Sequence, residues 1–287
     1  MNGVSLDDDV LSGNPILNMT NKTIIITGAS SGIGLALATA FAARGANLVL
    51  GARKYITLCE IAQQLEQQYQ IKAVAVQCDV SNEENCRHLI EQALLTFKNI
   101  DILINNAGIS MRALFNDLDL AVLKNLMDVN FWGTVYCTKY ALPHLIKSGG
   151  SVVGVSSIAG YRGLPGRTGY SASKFAMNGF MESLRVENLK TNLHVMVACP
   201  GFTASNIRHT ALDKDGQQFG ETSMEEEKMM SAEEVAHRII EGIAKRKRTI
   251  IMTRQGRFAV LMNKIFPAWV DKKVFALFAK EKNPLIK

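Results

Sequence analysis

Thr27-Gly-Ala-Ser-Ser-Gly-Ile-Gly34 follows an apolar run at 23–26 and opens a helical pattern at 34–44. Glycines in such a turn let the backbone bend sharply and approach a bound phosphate. The first turn of the next helix then offers free N–H groups and the positive end of its dipole. Gly28, Gly32 and Gly34 are spaced G-x-x-x-G-x-G, which differs from the G-x-G-x-x-G dinucleotide fingerprint. A glycine-rich turn alone is a weak signal. Set between a first strand and a first helix, it predicts a pyrophosphate cradle.

Outward from this loop, Val/Ile/Leu runs at 23–28, 47–52, 73–79, 100–106, 151–157, 193–200 and 249–252 alternate with helical patterns. The helical stretches are 34–44, 56–69, 83–97, 118–147, 170–188 and 232–245. Unbroken apolar runs suit strands covered on both faces. Seven strands alternating with six helices predict an α/β fold: a single doubly wound, parallel, seven-stranded sheet, Rossmann-like, with helices on both faces. We divide the chain into an N-terminal extension (1–21), one domain (22–252) and a basic, amphipathic C-terminal extension (253–287). The domain carries a long insertion at 202–231. A loop of that length in a compact domain is functional, such as a lid, or disordered.

With 287 residues, 47% of them apolar and 20% charged, the chain has the composition of a soluble globular protein with a large core. Its N-terminal segment is acidic and lacks an apolar run, so neither signal peptide nor anchor is expected. No stretch reaches the roughly 18 apolar residues of a membrane span. Five cysteines, odd in number and without a C-x-x-C pair, predict buried, reduced thiols and a cytoplasmic location. The five histidines show no metal-binding spacing, and no metal is expected. Of the net charge of +6, residues 245–287 carry +10, twelve Lys and Arg against Asp271 and Glu281, which leaves −4 for the rest. A basic tail on an acidic body is an asymmetry with consequences for partners.

Nineteen residues past Gly34 the second strand ends in Ala52, Arg53 and Lys54. NAD-binding units place an Asp or Glu near this point to hold the ribose hydroxyls. An anion-free site with a guanidinium suits a 2′-phosphate instead, so NADP(H) is expected over NAD(H). Further on, Tyr170 and Lys174 lie four apart in Y-S-A-S-K, on one face of a helix. An ammonium beside a phenol stabilises the phenolate and makes a better acid–base group. Ser157 lies in no G-x-S-x-G elbow, which disfavours a nucleophilic hydrolase.

TGASSGIG, then Asn105-Asn-Ala-Gly108, Asn130, Ser157, Tyr170-x-x-x-Lys174 and Pro200-Gly201 together resemble the short-chain dehydrogenase/reductase superfamily over about residues 22–252. The flavour of residues 161–180 and of the basic tail is similar to hydroxysteroid dehydrogenase-like members. The resemblance implies the following roles. Tyr170 would be the general acid–base, with Lys174 lowering its pKa and holding the nicotinamide ribose. Ser157 would polarise the substrate oxygen, and its thirteen-residue distance from Tyr170 selects it over Ser156. Asn130 would hold a water that links Lys174 to solvent. Gly28, Ser30, Ser31, Gly32, Ile33 and Gly34 would surround the phosphates, and Asp79 and Val80 the adenine. Asn106, Ala107 and Gly108 would back the adenosine, and Pro200, Gly201 and Thr203 would face the nicotinamide amide. Asn105 is expected to be mostly structural. Where family members often carry a threonine five residues after the proline, this chain has Ser205. Helices 118–147 and 170–188 would pair across a homodimer or homotetramer.

The loops beyond the strand ends supply Met111, Leu114, Tyr161, Leu164 and Phe202, with Arg112, Arg162, Arg167, Arg208 and His209 nearby. These either form an apolar substrate pocket with a basic rim, with Met111, Leu164, Phe202 and Ser157 touching substrate, or simply pack the loops. Three partners stay open for the tail: its own or a neighbouring subunit, an acidic membrane, or nucleic acid, the last without any recognition motif. The function expected is hydride transfer between NADP(H) and the carbonyl or secondary alcohol of a hydrophobic small molecule. The alternatives are a non-catalytic dinucleotide-binding sensor and a ketoreductase for carrier-bound acyl chains.

Overall fold

The computed structural model describes residues 18–201, 203, 207, 210–220, 229–280 and 283–286. The strands are β1 (Thr23–Thr27), β2 (Asn47–Ala52), β3 (Ala73–Gln77), β4 (Ile102–Asn105), β5 (Ser151–Val155), β6 (His194–Cys199) and β7 (Thr249–Ile251). They form one seven-stranded sheet in the order β3-β2-β1-β4-β5-β6-β7, and every pairing is parallel. The runs read from sequence were one or two residues too long at most ends, because end residues such as Gly28, Asp79, Asn106 and Ser157 belong to the turns that leave the sheet.

Alternation along these strands feeds two cores. Ile25, Val49, Leu103, Val152 and Val197 point to one face, while Ile24, Ile26, Leu50, Ile104 and Val153 point to the other. The second face is covered by α1 (Gly32–Ala42) and α2 (Tyr55–Tyr69), through residues such as Leu37, Phe41 and Leu58. The first is covered by α3 (Glu83–Phe97), α5 (Gly133–Ser148) and α6 (Thr168–Glu187), through Leu89, Leu145, Met177 and Met181. Each fully buried Ile or Leu contributes roughly 1.5–3 kcal/mol, so a sheet apolar on both sides is held from both sides. α7 (Ala232–Ala244) returns to the α1 side. Its start is set by Ser231, whose hydroxyl accepts from Glu234 N–H, and by Glu233 and Glu234 in the first turn.

The single helix expected at 118–147 is divided. α4 (Leu120–Met127) runs into a π turn, Asp128–Trp132, before α5 begins. Gly133 follows this turn because Val80 presses on it: a Cβ there would sit 2.8 Å from Val80 Cβ. The tail forms α8 (Arg254–Ile265) and α9 (Pro267–Phe278). Thr253 caps α8, accepting from Gly256 N–H. Pro267 starts α9, at a position where a missing N–H costs nothing. No helix among the described residues is long and apolar enough to cross a membrane.

Strand order reverses between β1 and β4, since β1 leads outward to β2 and β3 while β4 leads the other way. Parallel sheets leave a crevice beyond the carboxyl ends of the strands at such a point. Most of the described candidate residues read from the sequence line this crevice.

Candidate active site

A cleft of about 660 Å³ opens above the ends of β1, β4, β5 and β6. At one end it is bounded by the glycine turn. Gly28 has φ +67°, the left-handed region that favours glycine, and a Cβ on it would lie 2.9 Å from Ala107 Cα. A Cβ on Gly34 would come within 2.2 Å of Gly28 O, so the strand–helix junction closes only without a side chain. Gly34 therefore supports the turn from beneath, while Gly28, Ser30, Ser31, Gly32 and Ile33 line the cleft. Ser31, at the N-cap of α1, has extended backbone and makes no side-chain capping bond. The first N–H groups of α1 thus meet no side-chain cap from within the helix.

The Asn106-Ala-Gly108 segment is latched onto β1. Thr27 Oγ1 accepts from the N–H groups of Asn106 and Ala107, both at 3.0 Å. Asn106 Nδ2 donates to Thr27 O at 2.9 Å. Asn105, just before, is buried and donates to Thr138 Oγ1 of α5 at 3.0 Å, a structural role. Arg53 and Lys54 line the nucleotide end of the cleft together with Asp79 and Val80. Asp79 Oδ1 accepts from Ser81 N–H and Oγ, which fixes the turn after β3.

The other end carries Ser157, Tyr170 and Lys174. Lys174 is 2% exposed. Its ammonium donates to Val155 O at 2.9 Å and lies 5.9 Å from the centre of the Tyr170 ring. Burial pushes this lysine from 10.5 down to about 8. It remains mostly charged at neutral pH. The buried Cys199 thiol nearby is pushed up to about 12, also by burial. Ser157 Oγ accepts from Ala159 N–H at 3.2 Å, at the start of a short 3₁₀ turn. β5 ends at Val155, so Ser156 and Ser157 both lie past regular strand geometry and both reach the cleft. They differ in burial: Ser156 is buried, Ser157 half-buried.

Asn130 does not line the cleft; it is fully buried in the π turn. Its Oδ1 accepts from Ile109 N–H at 2.8 Å, and its Nδ2 donates to Ile109 O at 3.0 Å and Ser173 Oγ at 2.9 Å. The Ser173 hydroxyl donates to Tyr170 O at 2.8 Å. The amide is therefore committed to a brace between the 106–109 loop and the helix that carries Tyr170 and Lys174. A water held by Asn130 would fall to its main-chain carbonyl, which also accepts from Thr134 Oγ1 at 3.0 Å. Ser173 went unread in the sequence, although its place three residues after Tyr170, where a hydroxyl can bond back into the helix, was the available signal.

The substrate end differs from expectation in several residues. Leu164 lines the cleft with Ile109, Ile207 and Leu212. Met111 does not: it is fully buried beneath, packed with Ala113, Val122 and Leu126 under Tyr170. An isolated bridge from Met111 to Leu212 explains its burial, because it joins the loop to the 202–231 insertion. Of the arginines expected at the substrate rim, only Arg167 among those described lines the cleft. Arg112 lies over the Phe219 ring and donates to Asn283 O. Arg162 is bound to Asn263 and Asp271 of the tail. Pro200, Gly201 and Thr203 line the cleft, whereas Phe202, Ser205, Arg208 and His209 lie outside the described residues.

The family model described as short chain dehydrogenase matches residues 22–216. The chain is 39% identical over 191 residues to 11-beta-hydroxysteroid dehydrogenase 1A of Arabidopsis thaliana, an alignment covering 66% of this chain and 54% of that protein. The chain thus spans about half the length of that curated relative. It is 33% identical over 271 residues to 11-beta-hydroxysteroid dehydrogenase-like 2 of the same plant, covering 94% and 86% respectively. Among solved structures, an alcohol dehydrogenase from the archaeon Thermococcus sibiricus complexed with 5-hydroxy-NADP superposes with TM-score 0.71 at 25% identity, over 80% of this chain and 95% of that one. With the glycine turn, the latched Asn-Asn-Ala-Gly segment and the Tyr-x-x-x-Lys helix on one cleft, and a family match over residues 22–216, this chain belongs to the short-chain dehydrogenase family.

Proposed function

We propose that the protein is an NADP(H)-dependent oxidoreductase that interconverts a carbonyl and a secondary alcohol on a hydrophobic substrate, with Tyr170 as general acid–base. The observation that carries this is a buried, charged Lys174 fixed by Val155 O beside Tyr170, on the cleft that the glycine turn bounds. A cation held without a carboxylate partner is costly unless its charge is used.

The residues present fit a nicotinamide dinucleotide. Gly28 and Gly34 let the turn close against Asn106 and Ala107, where a Cβ would clash, and the N-terminus of α1 supplies donors for a pyrophosphate. Arg53 and Lys54, with no acidic residue at the end of β2, support a 2′-phosphate. When bound, the nicotinamide supplies or accepts the hydride. In reduction, the Tyr170 hydroxyl gives its proton to the substrate oxygen, and the Lys174 ammonium stabilises the phenolate that remains. Ser157 donates a hydrogen bond to the same oxygen. The Asn130–Ser173 brace keeps Tyr170 and Lys174 at a fixed distance from Gly108. Oxidation runs the same proton in reverse. Leu164, Ile109, Ile207 and Leu212 support an apolar substrate, as do the names of the plant relatives. Trp132 and Phe175, exposed on the adjoining π turn and on α6, support a homo-oligomer.

Tyr170→Phe tests the reading. Turnover of a panel of ketones with NADPH should fall on the order of 10² to 10⁴-fold, while NADPH affinity, read by fluorescence titration, stays near wild type. Undiminished turnover in the variant would refute the assignment.

A further inference from the structure

α8 and α9 pack on the protein by one side only. On α8, Gly256 and Val260 are buried, and Gly256 sits against Ile158, where a Cβ would meet Ile158 Cδ1 at 2.5 Å. On the opposite side Phe258, Leu261 and Ile265 are 56%, 53% and 54% exposed. Spaced three and four apart, they make one continuous apolar stripe. Arg254, Arg257 and Lys264 are exposed beside it. A helix packed by one face ordinarily shows water a polar one; this helix shows an apolar stripe flanked by cations. The pattern continues on α9, where Trp269 and Leu277 are exposed and Lys273 lies 5.5 Å from the Trp269 ring centre.

Acidic residues are scarce along these two helices. α8 contains none, and Asp271, the only one in α9, is engaged by Arg162. An occupant must therefore take up apolar side chains and balance several positive charges at once. A second copy of the same face would set Arg254, Arg257 and Lys264 against their own counterparts, which opposes two-fold pairing. The boundary between phosphate headgroups and acyl chains meets both demands.

We propose that α8, extended by α9, docks the protein on an anionic lipid surface through Phe258, Leu261 and Ile265, with Arg254, Arg257 and Lys264 at the headgroups. The charge distribution orients this encounter, since residues 245–287 carry +10 and the rest of the chain −4. The inner side of α8 rests on Ile158 and Asn263 donates to Tyr161 O, so docking sets the substrate end of the cleft beside the lipid.

Flotation of the full-length protein with vesicles tests this, using phosphatidylcholine alone and phosphatidylcholine mixed with phosphatidylserine. The protein should float with the mixed vesicles far more than with the neutral ones, and added salt should release it. Arg257→Gln should lower partitioning about five-fold, and the triple Arg254→Gln/Arg257→Gln/Lys264→Gln on the order of 100-fold. Leu261→Ser should weaken binding with the charge intact. All these positions are exposed, so thermal unfolding should be unchanged and serves as the folding control. The proposal is overturned if neither vesicle binds, if both bind equally, or if the triple variant binds as wild type. It is equally overturned if Leu261→Ser converts an oligomer to a monomer in sedimentation while wild type ignores lipid, since the face would then join copies of the chain.

Discussion

The two ends of the cleft are made of different material. At the nucleotide end much of the wall is main chain, the turn at Gly28, the first N–H groups of α1 and the Asn106–Gly108 segment, with Arg53, Lys54, Asp79 and Val80 at its outer edge. At the substrate end the walls are side chains from segments far apart in sequence, the loops at 109–114 and 160–167 and the insertion at 210–218, with the tail bonded to both loops. Main-chain walls admit one geometry and resist change, because a Cβ added at Gly28 or Gly34 meets backbone. Side-chain walls can be altered one at a time. A dinucleotide suits the first construction and a specific substrate the second.

Lys174 stands where the two ends meet and gives the largest effect. Lys174→Met should abolish turnover, by on the order of 10² or more, and yet stabilise the fold. The sign follows from the burial that lowers the lysine from 10.5 to about 8. Between those values the unfolded chain binds more protons than the folded one, so wild-type stability rises with pH there. Below pH 8 the cost of burying the cation is present in full. Allowing for the lost bond to Val155 O, the variant should be more stable by ~2 kcal/mol at pH 7. That advantage should shrink as pH rises through 8 towards 10.5, measured by urea unfolding of both proteins. A variant less stable at every pH would mean that the lysine is held for packing rather than for its charge.

Arg53→Ala probes the nucleotide end, where the effect is intermediate. Binding of NADPH should weaken by roughly 10- to 100-fold, the size of a lost charge-assisted bond, and that of NADH little. Equal losses would remove the 2′-phosphate from the account. The substitution should leave KM for the substrate unchanged, because Arg53 follows β2 and Leu164 lies after β5, on opposite sides of the β1–β4 reversal.

What the sequence disclosed divides along the same line. Strands buried on both faces announce themselves as unbroken apolar runs, and the glycine turn, Asn106 and the Tyr170–Lys174 pair are local patterns whose spacing carries their geometry. The parallel, doubly wound character of the sheet followed from alternation of strand and helix, while its strand order came only with the structure. The substrate end was harder because its contacts join residues that no local pattern relates. Arg112 and Arg162 looked like a basic rim, yet they reach Asn283 and Asp271, 171 and 109 residues away. Met111 looked like a pocket residue until its bridge to Leu212 placed it in the core. The π turn at Asn130 was hidden because a helix with one widened turn keeps nearly the same apolar spacing. Ser173 was passed over between two more conspicuous residues, although it carries the bond from Asn130 to the Tyr170 carbonyl.

The smallest effect belongs to the tail, and it separates the two constructions most cleanly. Asn263 accepts from Arg162 at 3.0 Å and donates to Tyr161 O at 3.2 Å, so one side chain of α8 holds the 160–167 loop by two bonds. It touches neither the cleft nor Tyr170. Asn263→Ala should therefore act only through the position of that loop. Each bond is worth about 1 kcal/mol, and part of that cost appears as a loop that is less often in place. For a bulky ketone KM should rise about two- to five-fold, with kcat nearly constant, since the chemistry proposed at Tyr170, Ser157 and Lys174 is untouched. A small ketone that does not reach Leu164 should show no change, and NADPH affinity should stay at wild type. A fall in kcat for both ketones would place the tail's influence on the catalytic residues themselves, and the substrate end would then be as tightly coupled to the chemistry as the nucleotide end.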